Sequence, residues 1–194
     1  MRASAEGAGR PTLASGPHRA ARAGCAALAL FAAPAPADVA PLGCFTLASD
    51  PARLAANPAD IVDTMTVEIR AATVEEGMGV PPGTPVMYLS VVAADQGHAA
   101  TPMPEEDFPN GFGGEELFAA LTCEATAQGL VCAECGAPSL TVTRHDAASV
   151  DIAVTGLGLG MGQACGGFID LVPAGGGPVA YTLAAAPAND CART

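Results

Sequence analysis

Short segments in which apolar and polar residues alternate constrain the fold of this chain more than any other feature of its sequence. Met65, Val67 and Ile69 alternate with polar neighbours, and the same period of two returns at residues 117–123. This alternation places the apolar side chains on one face of a β-strand. Because no segment of ten residues carries the apolar spacing of an α-helix, we predict an all-β fold.

About eight short strands follow one another at roughly ten-residue spacing, with Gly- and Pro-rich turns between them. Such spacing is typical of antiparallel barrels and sandwiches. Because local hairpins dominate, we favour a small antiparallel barrel and keep a sandwich as the alternative. One short helical turn is predicted at residues 51–56, with Ser49 or Asp50 as N-cap and Pro51 at the first helical position.

A glycine-rich segment at residues 156–167 superficially resembles a nucleotide-binding loop. Its glycines fit no G-x-G-x-x-G register, and no strand–turn–helix pattern surrounds it. Leu157, Leu159 and Met161 instead alternate with glycines. We therefore predict a strand with one bare glycine face. We favour a bend of the barrel as its explanation, and close approach of another backbone or a ligand is the alternative.

The first 37 residues have the pattern of a secretory signal peptide. Four arginines precede an apolar stretch at residues 23–33, and Ala35-Pro36-Ala37 supplies an A-x-A cleavage site. The apolar stretch is too short to span a bilayer, so we expect no transmembrane anchor. Removal of residues 1–37 leaves residues 38–194 as a single exported domain, periplasmic or extracellular.

Six cysteines remain in residues 38–194, and an even number in an exported chain predicts disulfides. Six cysteines allow fifteen pairings, so the sequence supports only a preference. One pair flanks the β-rich region, and a second pair faces each other if a hairpin turns at residues 127–128. The favoured set, with the third pair left over, is Cys44–Cys191, Cys123–Cys132 and Cys135–Cys165.

The charge of the chain limits its partners. Residues 38–194 contain four arginines against 19 acidic residues, which gives a formal charge of −15. Such a charge repels nucleic acid and anionic lipid and attracts basic surfaces. We expect a monomer without a nucleic-acid partner, which binds either a basic protein or a small ligand at the barrel mouth.

An acidic loop at residues 104–116 has two candidate roles. Phe108 and Phe112 within it either cap one end of the barrel or present a partner-binding patch. The loop lacks the spacing of an EF-hand, and a solvated acidic loop explains it without a metal. Its weak candidates for calcium ligands are Glu105, Glu106, Asp107, Asn110, Glu115 and Glu116.

Cys132 and Cys135 form a C-x-x-C pair, the motif of thiol–disulfide enzymes. In those enzymes a helix begins at the motif and lowers the pKa of the first thiol. Here the pair follows a predicted strand, and the negative charge of Glu134 would raise a thiol pKa. We therefore favour structural disulfides over redox catalysis for both cysteines.

Hydrolase chemistry has little support in the sequence. No serine lies in a G-x-S-x-G pattern, and His145-Asp146 falls in a predicted hairpin turn, where aspartate is expected for its backbone hydrogen bonds. We expect a non-enzymatic binding or interaction module of the bacterial envelope, without a cofactor. The alternatives are a thiol–disulfide redox protein that uses Cys132 and Cys135, and a calcium-stabilised structural domain.

Overall fold

The computed structural model describes residues 42–74, 79–96, 111–127, 129–161, 167, 169–173 and 176–192. All of them belong to one compact unit, Pro34–Thr194. The predicted signal peptide, residues 1–37, lies outside the described residues.

The described chain is built mainly from strands. The elements, in chain order, are β1 (Gly43–Leu47), α1 (Pro51–Ala56), β2 (Val62–Ala71), β3 (Pro85–Ala93), β4 (Glu116–Thr126), β5 (Gly129–Glu134), β6 (Ala137–His145), β7 (Ser149–Val154), β8 (Gly158–Leu159), β9 (Ile169–Asp170), β10 (Val179–Ala186) and α2 (Ala188–Cys191). Neither described helix is long and apolar enough to cross a membrane.

Eight of the strands close into an antiparallel barrel, in the order β1-β2-β3-β4-β5-β6-β7-β10. Each strand from β1 to β6 pairs with the next strand along the chain, and β10 pairs with both β7 and β1, which closes the ring. The predicted all-β barrel is therefore confirmed, and the sandwich alternative is wrong. Since every barrel strand has a partner on each side, the barrel leaves no long strand edge open among the described residues.

Inward-facing aliphatic side chains fill the barrel. Val67, Leu89 and Ala119 lie side by side on β2, β3 and β4, and all three are buried. An eight-stranded barrel has an interior that is just wide enough for side chains to fill, which suits a chain with only 4% aromatic residues. The core of this protein is thus the inside of the barrel.

One end of the barrel, called here the α1 end, carries helix α1 between β1 and β2. The helix begins as predicted, because the Asp50 carboxylate accepts hydrogen bonds from the backbone N–H groups of Ala52 and Arg53 and Pro51 occupies the first helical position. Ile61 and Phe112 are fully buried in the same hydrophobic cluster as the barrel interior. The opposite end, called the far end, carries the turns β2–β3, β4–β5 and β6–β7.

The segment between β7 and β10 folds as a two-stranded ribbon, β8 and β9. Gly160 exchanges both backbone hydrogen bonds with Phe118 of β4, at 2.7 and 3.0 Å, and Leu157 and Leu159 are buried in the core cluster. The prediction of a longer strand through Met161 is wrong, since the strand has two residues and Met161 is 59% exposed.

The bare glycine face of this ribbon serves a close backbone approach. A Cβ atom on Gly167 would lie 2.2 Å from the backbone of Leu159, and one on Gly158 would lie 2.9 Å from the backbone nitrogen of Gly167. Both distances are shorter than any tolerable contact, so these positions require glycine.

Helix α2 has no counterpart in the sequence analysis. Its four residues include no side-chain cap, and the N-cap position is Pro187. The helix packs on β1 and β2, and a disulfide from Cys191 to Cys44 of β1 ties it there. Its position is therefore set by a tertiary link and by no local pattern.

Candidate functional site: polar clefts on the barrel

A polar cluster fastens α1 to the barrel. The Tyr181 hydroxyl, from β10, donates to Oδ1 of Asp60 at 3.0 Å, and the same oxygen accepts the backbone N–H of Val62 at 3.0 Å. Arg53 of α1 forms an ion pair with the other oxygen of Asp60 and donates to the Val62 carbonyl at 2.7 Å. Asp60 thus joins the helix to two strands that are distant in sequence.

Gln96 provides a second tie between α1 and the barrel. Its side-chain Nε2 lies 3.1, 2.9 and 3.0 Å from the carbonyl oxygens of Leu54, Asn57 and Asp60. These carbonyls belong to the last turn of α1 and to the segment after it, where helical acceptors have no partner within the helix. The carbonyl groups at the end of the helix therefore find a hydrogen-bond donor in a side chain from the β3–β4 connection.

The cluster keeps Tyr181 protonated. Burial raises the pKa of the Tyr181 hydroxyl well above its ordinary value of 10.0, and the charge of Asp60 and the hydrogen bond to it raise it further. Arg53 acts in the opposite direction and does not offset these effects. The hydroxyl is a structural donor, and we assign no proton transfer to it.

A first cleft, the α1 cleft, lies beside this cluster. It has a volume of about 280 Å³, and its lining includes two carboxylates, Asp63 and Asp95, with Gln96 and apolar atoms of Leu54. The Asp63 carboxylate accepts a hydrogen bond from the Ser49 hydroxyl at 2.5 Å. The cleft therefore presents acceptors to the solvent at the α1 end.

A second cleft, the threonine cleft, lies on the outer face of β1, β2 and β3. Its volume is about 360 Å³, and its lining is Thr46, Leu47, Thr64, Met65, Thr66, Ser90, Glu116 and Asp190. Because apolar residues of β2 point inward, Thr64 and Thr66 point outward between them. Asp190 comes from α2, and Glu116 is the first residue of β4.

A third cleft, the mouth cleft, lies at the far end and has a volume of about 600 Å³. It is lined mainly by small or apolar residues, with one imidazole, His145. Asp146 follows the last residue of β6, and its carboxylate accepts from the backbone N–H groups of Ala148 and Ser149, both at 2.8 Å. The histidine and aspartate thus belong to a hairpin end, as predicted, although β6 includes the first two residues of the turn predicted at residues 144–147.

The disulfides show how the two cysteines of the C-x-x-C motif are used. Cys123 bonds to Cys132 across the β4–β5 hairpin, where the two residues are directly opposite each other, and Cys44 bonds to Cys191. These are two of the favoured pairs. Cys135 is also disulfide-bonded, and Cys165 lies outside the described residues. Since Cys132 is fully buried and bonded to Cys123, the structure does not contain the Cys132–Cys135 bond that the redox alternative requires.

The acidic loop contributes less than the sequence suggested. Phe112 is 0% exposed, so its assignment to a partner-binding patch is wrong, and capping of the barrel is its role. The apolar ring gains more from burial in the core than from a place on an acidic surface. Phe108 lies outside the described residues.

Only two of the six candidate calcium ligands can be placed. Glu115 and Glu116 are exposed at the start of β4, and Glu116 accepts the Ser90 hydroxyl at 2.6 Å. Glu105, Glu106, Asp107 and Asn110 lie outside the described residues. Within the described ranges no three metal-ligating side chains gather, so the calcium site stays a prediction.

Sequence reasoning missed the polar cluster and the threonine cleft. Asp60 and Tyr181 are 121 residues apart, and no local pattern pairs them. The outward threonines carried a weak signal, because Thr64 and Thr66 occupy the polar positions of a clearly alternating strand.

The function of this protein has to be argued from its geometry. Comparison of the chain with protein-family models, with curated proteins and with solved structures gave no match.

Proposed function

We propose that this protein is an exported, non-enzymatic binding module of the bacterial envelope, in the periplasm or outside the cell, and that its partner is a basic protein surface. Disulfides support export, because they persist in oxidising compartments. The predicted signal peptide supports it independently.

The observation that carries the proposal is the arrangement of carboxylates around two open clefts. Asp63 and Asp95 line the α1 cleft, while Glu116 and Asp190 line the threonine cleft. Thr64 and Met65 of the second cleft directly follow Asp63 of the first, so the two clefts adjoin along β2. Together they form a polar, acidic surface, and the barrel interior behind it is filled by the protein's own side chains.

The two arginines whose side chains the structure describes make their contacts elsewhere. Arg53 is paired with Asp60, and Arg70 contacts both Glu68 and the ring of Tyr88. Neither arginine is among the residues that line the two clefts. Among the described residues that line the two clefts there is no cation, so a basic partner would meet carboxylates there, which favours fast, salt-sensitive association.

The test compares two variants of equal charge change on the same strand. Residues 38–194 would be produced with oxidised disulfides, and binding to a Lys- and Arg-rich peptide and to a panel of basic exported proteins would be measured by calorimetry at two salt concentrations. Glu116→Gln removes a cleft carboxylate, and Glu124→Gln removes an exposed carboxylate near the far end of β4.

We expect Glu116→Gln to weaken binding about two- to fivefold, the range for one exposed ion pair, and added salt to weaken it further. Glu124→Gln should leave the affinity nearly unchanged. Equal effects of both variants would mean that net charge alone attracts the peptide, and the proposed surface would be wrong. No binding to any basic probe would refute the proposal as a whole.

A further inference from the structure

The residues that line the threonine cleft favour one kind of cation over others. We infer that it binds primary ammonium groups, presented either by a free linear polyamine or by lysine side chains of the basic partner. In its lysine form the inference rests on the proposed function, whereas the polyamine form does not.

The floor of the cleft is a row of hydroxyl groups fixed by strand register. Thr46 of β1 lies directly opposite Thr66 of β2, which lies directly opposite Ser90 of β3. Because neighbouring strands are about 4.8 Å apart, the row extends about 10 Å across the sheet. Thr64 adds a fourth hydroxyl two residues along β2, on the same face. The backbone of a closed barrel holds this row in place without a ligand.

The hydroxyls of the three threonines take part in no side-chain hydrogen bond within the described ranges. The Ser90 hydroxyl, in contrast, donates to Glu116 at 2.6 Å and holds that carboxylate at the Ser90 end of the row. Asp190 brings a second carboxylate from α2, which the Cys44–Cys191 disulfide holds against β1. The cleft thus combines free hydroxyl acceptors with carboxylates from two separate elements.

This arrangement suits an ammonium group better than a guanidinium group. An ammonium has three donors on one compact centre and no acceptor, so hydroxyl and carboxylate oxygens in different directions satisfy it together. A guanidinium is planar and is bound best by a carboxylate that accepts two parallel hydrogen bonds. Threonine hydroxyls placed singly on neighbouring strands do not supply that geometry, and one oxygen of the Glu116 carboxylate already accepts the Ser90 hydroxyl.

The remaining lining residues explain the preference for an aliphatic amine. Leu47, which is half-buried, contributes apolar atoms to the cleft and offers contact to methylene groups next to the ammonium, whereas the Met65 side chain is buried in the core. No aromatic ring is among the described residues that line the cleft, so a sugar would find no stacking surface on them. A volume of about 360 Å³ leaves room for several methylene groups of an extended chain.

The experiment uses spermidine and a lysine-rich peptide as probes of residues 38–194, with an arginine-rich peptide of equal length for comparison. Amide chemical shifts would locate each probe, and titrations would give its affinity. Thr66→Val removes one hydroxyl from the centre of the row and keeps the side-chain shape. Thr141→Val makes the same change at a half-buried threonine of β6, outside the cleft, and serves as the matched control.

We expect the shifts caused by spermidine to centre on Thr46, Thr66 and Ser90. Thr66→Val should weaken the binding of spermidine about three- to tenfold, and Thr141→Val should change the affinity for spermidine by less than twofold. Because valine is at least as favourable as threonine in a strand, both variants should keep the fold, which a thermal melt would check. Binding of spermidine but not of the lysine peptide identifies a free polyamine, and binding of both identifies lysine side chains as ligands.

The inference and the proposed function fail separately. If the basic peptides bind in a Glu116-dependent manner but neither spermidine nor the lysine peptide responds to Thr66→Val, the ammonium site is wrong and the proposed function stands. If spermidine binds the threonine row and no basic peptide or protein binds, the ammonium site stands and the proposed function is wrong. Equal or stronger binding of the arginine-rich peptide would also overturn the preference for ammonium groups.

Discussion

Replacing Asp60 with alanine tests whether the polar cluster, rather than the apolar core alone, holds α1 on the barrel. The change removes the acceptor of the Tyr181 hydroxyl and the counter-ion of Arg53 in one step. Both members of the ion pair are largely buried, since the Arg53 and Asp60 side chains are 19% and 11% exposed. The variant therefore leaves a charge and a hydroxyl in a poorly solvated place.

The expected cost follows from these contacts. A hydroxyl that loses its partner in a buried site costs about 1–3 kcal/mol, and breaking a buried ion pair by removing one member costs about 3–5 kcal/mol. The two contributions overlap because they share one carboxylate, so we expect a total of about 3–5 kcal/mol. For a domain of this size that lowers Tm by about 6–20 °C.

Reversible urea unfolding, followed by circular dichroism, would give the change in the free energy of unfolding. Glu124→Ala, at an exposed carboxylate, is the control and should change stability by less than about 0.5 kcal/mol. The double variant with Tyr181→Phe should cost less than the sum of the two single changes, because each removes the same hydrogen bond. A cost for Asp60→Ala no larger than that of the control would refute the reasoning.

The same cluster gives stability a dependence on pH. The pKa of Tyr181 is raised in the folded state, so its contribution is fully present below the unfolded tyrosine pKa of about 10 and is lost as pH rises above it. Above that pH the unfolded chain loses a proton that the folded chain retains. The free energy of unfolding should therefore fall more steeply with alkaline pH for the native sequence than for Tyr181→Phe. Parallel curves would show that the hydroxyl is not held as described.

Three further changes should affect stability in a predictable order. Gly167→Ala places a Cβ atom 2.2 Å from a backbone and should cost at least about 1–3 kcal/mol in a urea titration, whereas Gly156→Ala, with nothing within 4 Å, should cost much less. Joint replacement of Cys44 and Cys191 by alanine opens a link across 147 residues and should cost about 5 kcal/mol, roughly twice the loss from opening the nine-residue link between β4 and β5. A reversed order would contradict the loop-entropy argument. Phe112→Ala should cost about 3–5 kcal/mol, because the ring is fully buried. A neutral effect in the same titration would contradict the burial of that ring.

Much of the local structure of this protein could be predicted from its sequence. Apolar residues at every second position predicted β2 and β4, and Asp50 with Pro51 predicted the start of α1. The Cys123–Cys132 pair followed from the symmetry of a hairpin about residues 127–128. These features depend on residues within one strand, one turn or one hairpin, where spacing along the chain determines spacing in the molecule.

The location of Phe112 and the clefts depended on the closed barrel. A phenylalanine in an acidic loop is compatible with a surface patch and with a cap, and only the neighbours supplied by other segments bury it. Likewise, alternation alone fits a sandwich as well as a barrel, and the pairing of β1 with both β2 and β10 decides between them.

The sequence by itself therefore determined the strand period, the helix start and the most local disulfide. Only the tertiary structure decided that Asp60 meets Tyr181 across 121 residues and that Thr46, Thr66 and Ser90 form one row. The physical reason is that contacts between distant segments depend on which strands pair and in which register. Local spacing constrains that choice weakly, and closure of the barrel fixes it.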